Sequence, residues 1–454
     1  MENFDVMVIG TGSGLDVAAH AAEHGVSVAI VEQGPFGGTC LNRGCIPSKM
    51  LIHCADVMET IKRAHLFGIK ASVEAVDWQF IVHRANDEVD AEAAQIEEAN
   101  RKFPGIAVYK GTGRFVGKKT LEVNGERIRA KTVIIAAGTR PSAPPIPGLD
   151  RVPYMTSDQA LRLDRQPKHL AIMGGGYIAA ELAHFYGTLG TKVTIIYRGS
   201  TLLRREDEQI AQRFTEVYRR KFDLVLNAQV SKVSQHGEET YVDVSVDGDD
   251  RTVVADALLI ATGRVPNTDT LDVAKAGVAV DARGFVKTDK YLQTNVPGIW
   301  ALGDVVGRYM LKHNANMEAA YVAHNAFHPD NREEVDYHAM PHAIFASPQV
   351  AGVGMTEQEA RVQKVHYVAA TYDYKDTAYG SSIEDMDGFV KVLAGHEKGE
   401  ILGCHIIGTH ASALIQEPAN AMHARLSVDA IRESIYVHPA LPEVVHRAFS
   451  SLAI

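Results

Sequence analysis

Phe4-Asp5-Val6-Met7-Val8-Ile9-Gly10-Thr11-Gly12-Ser13-Gly14-Leu15 reads as a buried strand running into a glycine turn. The apolar run is short and unbroken, as in a parallel strand covered on both faces. An alanine-rich helical stretch follows to His24, then a second run, Val26-Ser27-Val28-Ala29-Ile30-Val31, ending on Glu32. Strand, glycine turn, helix, strand and an acid about 20 residues on form the dinucleotide-binding fingerprint. Gly10 makes the tight turn, Gly12 lets backbone approach a pyrophosphate at the helix N-terminus, and Glu32 suits ribose hydroxyls. Leu15 stands where the third glycine would be. That glycine serves helix–strand packing rather than phosphate contact, so the expectation is a shifted helix with binding retained.

The pattern then repeats. His169-Leu170-Ala171-Ile172-Met173 is a strand, Gly174-Gly175-Gly176-Tyr177-Ile178-Ala179-Ala180-Glu181 a glycine turn opening a helix, and Lys192-Val193-Thr194-Ile195-Ile196-Tyr197 the next strand. Here Ala179 takes the third glycine's place as a small substitute. Two fingerprints imply two dinucleotides. The second strand ends on Tyr197 instead of an acid, with Arg198 next and Arg204 six residues later. Arginine there suits a ribose 2′-phosphate, which its planar fork binds in a charge-assisted way.

Between the fingerprints lies Gly37-Gly38-Thr39-Cys40-Leu41-Asn42-Arg43-Gly44-Cys45-Ile46-Pro47-Ser48-Lys49. In an unbroken helix, residues five apart have Cα atoms roughly 8 to 9 Å apart, whereas a disulfide needs about 4.4 to 6.8 Å. The two cysteines therefore close only if the chain is distorted just before the helix. Gly44 permits that distortion, and Pro47 marks where regular helix begins. Cys45 then heads a helix, where unpaired N–H groups and the dipole favour a thiolate. Read alone, the spacing also fits two buried thiols or half of a zinc site. No second cysteine pair completes a four-thiolate site, and mixed Cys/His ligation stays open. Cys54 and Cys404 read as small buried residues.

The segment from Gly37 to Lys49 resembles, nearly letter for letter, the active-site stretch of the flavoprotein disulfide reductases that bind two dinucleotides. The resemblance covers essentially the whole chain, with the motifs in the family's order. It implies an α/β protein with two Rossmann-like three-layer dinucleotide-binding domains and a C-terminal α+β dimerisation domain. The expected division is 1-148 with 271-335 for FAD, 149-270 for NAD(P)H, and 336-454 for the interface. The boundary near 148 rests on the proline-rich, helix-free run Thr139 to Gly148.

The same resemblance implies two cofactors, FAD and NADPH, and a Cys40–Cys45 redox disulfide. For FAD it points to Gly10, Gly12, Gly14, Glu32, Gly38, Thr39, Lys49, Gly138 and Asp304. For the nicotinamide coenzyme it points to Gly174, Gly176, Tyr177, Ile178, Glu181 and Gly263, and Arg198 and Arg204 resemble the arginine pair of the family's NADPH-dependent members. Lys49 suits negative charge developing on the flavin, and the resemblance pairs it with Glu181. Cys40 is implied to be the sulfur nearer solvent. His438 and Glu443, in Val437-His438-Pro439-Ala440-Leu441-Pro442-Glu443, match the family's acid–base pair, contributed by the neighbouring subunit of a homodimer. No metal is implied.

Val108 to Val123, with three glycines, reads as a small antiparallel insertion, and Asp56 to Asn100 as helices over the first domain. The 454 residues are 46% hydrophobic and 22% charged, an ordinary soluble composition. A net charge of -10 argues against general nucleic-acid binding. No apolar run is long enough to span a bilayer and the N-terminus lacks a basic leader, so no membrane partner and a cytoplasmic location are expected. The expected substrate is a small-molecule disulfide. The Arg-Gly-Ser-x-Leu-Leu-Arg segment, Ala378-Tyr379-Gly380 and His438 to Val445 read closest to the mycothione-reducing branch, then the lipoamide, then the glutathione branch. The alternative from another class is a flavoprotein that senses or carries electrons without disulfide turnover.

Overall fold

The computed structural model describes residues 1–454. They form two compact units, Met1–Ser48 with Val82–Ser142 and Gly263–Asp336, and Lys49–Ile81 with Ala143–Thr262 and Tyr337–Ile454.

In the first unit, strand Glu2–Ile9 pairs in parallel with Val28–Glu32 on one side and Glu126–Ile135 on the other. Ile106–Lys110 extends the sheet beyond Val28–Glu32, and Ile299–Ala301 pairs in parallel with Glu126–Ile135. Only Gly113–Gly117 and Thr120–Val123 are antiparallel additions. The expected insertion thus begins at Gly113, and Val108 belongs to the central sheet. Burial of Val6, Val8, Ile30, Val133 and Ile135 explains the unbroken apolar runs, each contributing about 1.5–3 kcal/mol.

At the outer end of this sheet, Asp5 accepts hydrogen bonds from Lys131 Nζ at 2.7 Å and from the Ser27 N–H and hydroxyl at 3.0 and 2.8 Å. The Lys131 bond, and then the two from Ser27, lower its carboxyl from 3.8 to about 2. A depressed acid stabilises the fold fully above its unfolded pKa and loses that contribution as pH falls through the folded one. Melting curves should therefore show wild type and Asp5→Asn converging between about pH 4 and pH 2, with Asp5→Asn less stable above that window.

The glycine turn departs from expectation in an informative way. The helix Gly14–Glu23 starts at Gly14, where a Cβ would lie 2.9 Å from both Ala136 Cβ and Val8 Cγ1. Gly14 therefore does the packing work of the third fingerprint glycine, and Leu15 is free to be large.

The second unit holds a four-stranded parallel sheet in the order Asp223–Val225, Lys192–Ile196, His169–Met173, Ala257–Ile260. A three-stranded antiparallel sheet, Ala228–His236, Glu239–Val246 and Asp249–Ala255, packs in the same core. Its C-terminal part is a five-stranded antiparallel sheet, in the order His342–Ile344, Gln349–Gly354, Ile401–Gly408, Phe389–Gly395, Tyr367–Asp373. The helix Glu443–Ser450 buries Val444, Val445, Ala448 and Phe449 against it. No helix is long and apolar enough to cross a membrane.

Candidate active site

The cysteine motif folds as two helices meeting at a break. Gly37 and Gly38 have φ of 95° and 67°, a region open to glycine, and lead into the short helix Gly38–Arg43. Asn42, quoted in the motif without a role, is buried and donates its side-chain amide to Phe36 O at 2.8 Å and Gly38 O at 2.9 Å. That closes the turn. Gly44 leaves helical geometry, with φ −146° and ψ −116°. A Cβ there would meet Thr39 O at 2.8 Å. The helix Cys45–Arg63 follows, two residues earlier than Pro47 suggested, and Pro47 occupies its first turn, where its missing N–H is harmless.

Both cysteines are thiols in this structure. Hydrogen bonding to Cys45 and burial push the Cys40 thiol up, and Lys312 opposes them. In the single chain Cys45 is exposed and Cys40 half-buried. Cys54 is half-buried and donates to Met50 O, whereas Cys404 is fully buried, which pushes its thiol up.

Around the first glycine turn, a Cβ on Gly10 would collide with Ala136 O at 2.3 Å and one on Gly38 with Gly12 Cα at 2.7 Å. Beside these crossings, a Cβ on Gly138 would meet nothing within 4 Å. The result is a side-chain-free trench at a helix N-terminus, which fits a dinucleotide pyrophosphate. Glu32 accepts from Thr11 N and Oγ1 and from Gly34 N, leaving acceptor capacity for a ribose hydroxyl. Asp304 accepts from the Thr139 hydroxyl at 2.9 Å, and Arg264 Nε donates to that hydroxyl. Burial raises the Asp304 carboxyl against those two groups. Ser13, Asn316 and Lys312, which sequence reading passed over, form a further cluster, with Lys312 Nζ 2.9 Å from Ser13 Oγ. Thr39 lies half-buried in the first turn of the helix Gly38–Arg43.

The second turn is built alike. Gly174 has φ +138° and packs on Ala261 O, and a Cβ on Gly176 would meet nothing within 4 Å. Tyr177 and Ile178 open the helix Tyr177–Thr188. Arg198 and Arg204 are exposed beyond strand Lys192–Ile196 and form no ion pair. In the same unit Lys49 Nζ lies 2.8 and 3.0 Å from the Glu181 oxygens and 4.6 Å from the Phe345 ring centroid, and Glu181 also accepts from Phe345 N at 2.9 Å. This pair satisfies a nearly buried carboxylate. Gly263, with φ +146° and open space at its Cβ, belongs to the first unit.

His438 Nδ1 lies 2.9 Å from Glu443 Oε1, and Ala440 N donates to Glu443 Oε2 at 3.1 Å. Those bonds, the His438 one foremost, lower the Glu443 carboxyl. The imidazole projects into solvent on an exposed segment with Ile435 and Val437.

Residues 4–319 match the pyridine nucleotide-disulphide oxidoreductase family, and residues 340–449 match its dimerisation domain. The chain belongs to that family. Among its relatives is the mycothione reductase of Mycobacterium tuberculosis, 42% identical over the full length of both chains. The dihydrolipoyl dehydrogenase of Chlamydia trachomatis is 35% identical over 98% of this chain and 95% of its own. The solved HOCl-induced flavoprotein disulfide reductase RclA of Escherichia coli superposes with a TM-score of 0.87 at 30% identity, covering 98% of this chain and 99% of that one. This oxidoreductase is therefore a flavoprotein enzyme acting on sulfur groups, with a flavin and a pyridine nucleotide as its cofactors. Its dimerisation domain indicates a homodimer.

Proposed function

We propose that this enzyme reduces mycothione, a low-molecular-weight thiol disulfide, with electrons from NADPH. End-to-end identity with a mycothione reductase supports the substrate. The observation that carries the coenzyme is the end of strand Lys192–Ile196, where Tyr197 replaces an acid and Arg198 and Arg204 stand exposed without acidic partners. Charge-assisted hydrogen bonds of this kind contribute about 1.5–3 kcal/mol each. Arg198→Ala or Arg204→Ala should then raise KM for NADPH roughly tenfold or more and leave NADH use nearly unchanged. Equal KM changes for both coenzymes would sink the assignment.

FAD, when bound, would supply the two-electron relay between the nicotinamide and the Cys40–Cys45 disulfide. Cleavage leaves Cys45 as a thiolate at its helix N-terminus and, with one proton, Cys40 as a thiol. Cys40, whose proton is held by its bond to Cys45 and by burial, needs a base. His438 of the partner subunit, oriented by Glu443, takes that proton. The Cys40 sulfur attacks mycothione, forming a mixed disulfide, and the first departing thiolate is protonated by His438. The Cys45 thiolate then attacks the Cys40 sulfur, restores the disulfide and expels the second thiolate, which takes a proton from solvent. NADPH, one proton and one disulfide become NADP⁺ and two thiols. Lys49, held by Glu181, places a cation one turn beyond Cys45.

In this reading Gly10, Gly12, Gly14, Glu32, Gly38, Thr39, Gly138 and Asp304 hold FAD, and Gly174, Gly176, Tyr177, Ile178 and Gly263 hold NADPH. The deciding experiment is steady-state NADPH oxidation with mycothione and with lipoamide at equal concentration. A strong preference for mycothione is expected, and a preference for lipoamide would make the enzyme a lipoamide dehydrogenase.

A further inference from the structure

The loop between strand Lys192–Ile196 and helix Glu208–Lys221 carries three exposed arginines, Arg198, Arg204 and Arg205. Its middle is tied to the second glycine turn, because Leu203, at φ +52°, donates its N–H to Gly175 O at 2.7 Å. Its far end is tied to the C-terminal sheet of the same unit. Glu206 Oε2 lies 2.7 Å from His342 Nε2, and Glu206 O accepts from the Gln358 side chain at 2.8 Å. Asp207, wholly buried, accepts from Lys391 Nζ at 2.8 Å and from the Glu357 N–H at 3.1 Å. Lys391 also donates to Glu357 Oε2 at 2.6 Å.

This arrangement is costly for stability alone. Lys391 is 2% exposed in a strand, Phe389–Gly395, whose every residue is buried. Buried ion pairs are often no more stabilising than apolar residues of the same volume, and what they do supply is directionality. Room is made for them too: a Cβ on Gly352 would lie 2.7 Å from His342 Cε1 and 3.0 Å from His405 Nδ1. His405 donates Nε2–H to Met355 O, leaving Nδ1 buried without a partner. A charged cluster joining a coenzyme loop to a distant sheet points to placement of that loop. Arg204 and Arg205 lie between its two tethers, at Leu203 and Glu206.

We propose that Lys391, Asp207, Glu357, His342 and Glu206 form a clamp through which the C-terminal sheet holds the Arg204–Arg205 turn in register for a ribose 2′-phosphate. These are positioning residues that act through the arginines and set selectivity for NADPH over NADH. The inference rests on the NADPH reading above. An arginine fork binds phosphate well only when it is pre-organised, since otherwise binding must order the loop and its side chains.

The test uses the FAD-loaded dimer and measures kcat and KM with NADPH and with NADH, together with binding of adenosine 2′,5′-bisphosphate and 5′-AMP. Glu206→Ala and Lys391→Met should each raise KM for NADPH about tenfold, the equivalent of one charge-assisted contact. They should weaken the bisphosphate likewise, with kcat, KM for NADH and 5′-AMP binding nearly unchanged. Lys391→Arg should restore most of the loss. Should Lys391→Met fail to fold, Glu206→Ala decides. A wild type with no preference for NADPH would overturn the NADPH reading and the clamp with it. A wild type that prefers NADPH, with variants that weaken both coenzymes equally or neither, would overturn the clamp alone.

Discussion

Cys45→Ser is expected to abolish NADPH-driven turnover of every disulfide substrate, by at least about a thousandfold, while FAD remains bound. Serine cannot form the bond that stores the two electrons, and its hydroxyl is a far poorer leaving and attacking group than a thiolate. The trench proposed to hold the flavin lies instead on Gly10, Gly12, Gly38 and Gly138, none of which the substitution touches. Cys40→Ser should block turnover as completely, by removing the sulfur proposed to attack substrate. The measurement is NADPH oxidation with mycothione beside the flavin absorbance of the purified variant. Unchanged turnover in Cys45→Ser would remove the dithiol from the mechanism. It would favour a flavoprotein that carries electrons by another route.

The next largest effect should come from His438→Ala, a loss of roughly a hundred- to ten-thousandfold in kcat, the usual range for a general acid–base. Reduction of the enzyme by NADPH, followed in stopped flow, should be unaffected, because in the proposed mechanism the imidazole acts only when the Cys40 proton is removed and the departing thiol is protonated. Equal slowing of both half-reactions would contradict the role. Glu443→Gln keeps an acceptor for the ring but loses its charge, so a smaller drop of about tenfold is expected. The sign of the pH effect follows from the lowered Glu443 carboxyl. A depressed acid stays charged across the neutral range, so its anchoring of His438 is lost only as pH falls through that lowered value. The exposure of Ile435 and Val437 beside His438 also gives this segment an apolar surface of the kind a subunit interface covers.

Short-range patterns carried most of the fold and much of the site. Strand, glycine turn and helix are specified by residues within a few positions of one another, and so both dinucleotide-binding turns were legible. The break at Gly44 between Cys40 and Cys45 was legible for the same reason, since helix rise and disulfide reach do not agree without it. Other features depend on residues far apart in the chain. Gly14 replaces the usual third glycine only because Ala136 and Val8 crowd it. Val108 joins the central sheet because Ile106–Lys110 pairs in parallel with Val28–Glu32, which a glycine-rich sequence does not announce. Lys391 looks like an ordinary outward-facing strand lysine until Asp207 and Glu357 are brought to it. Apolar periodicity reports which face of an element is covered but not by what, and loop-closure entropy changes so slowly with length that separation in sequence says little about who meets whom. The local chemistry of the turns and the dithiol was therefore written in the sequence. The tertiary structure alone decided what anchors the arginine loop, because Glu206, Asp207, His342, Glu357 and Lys391 meet only in the folded chain.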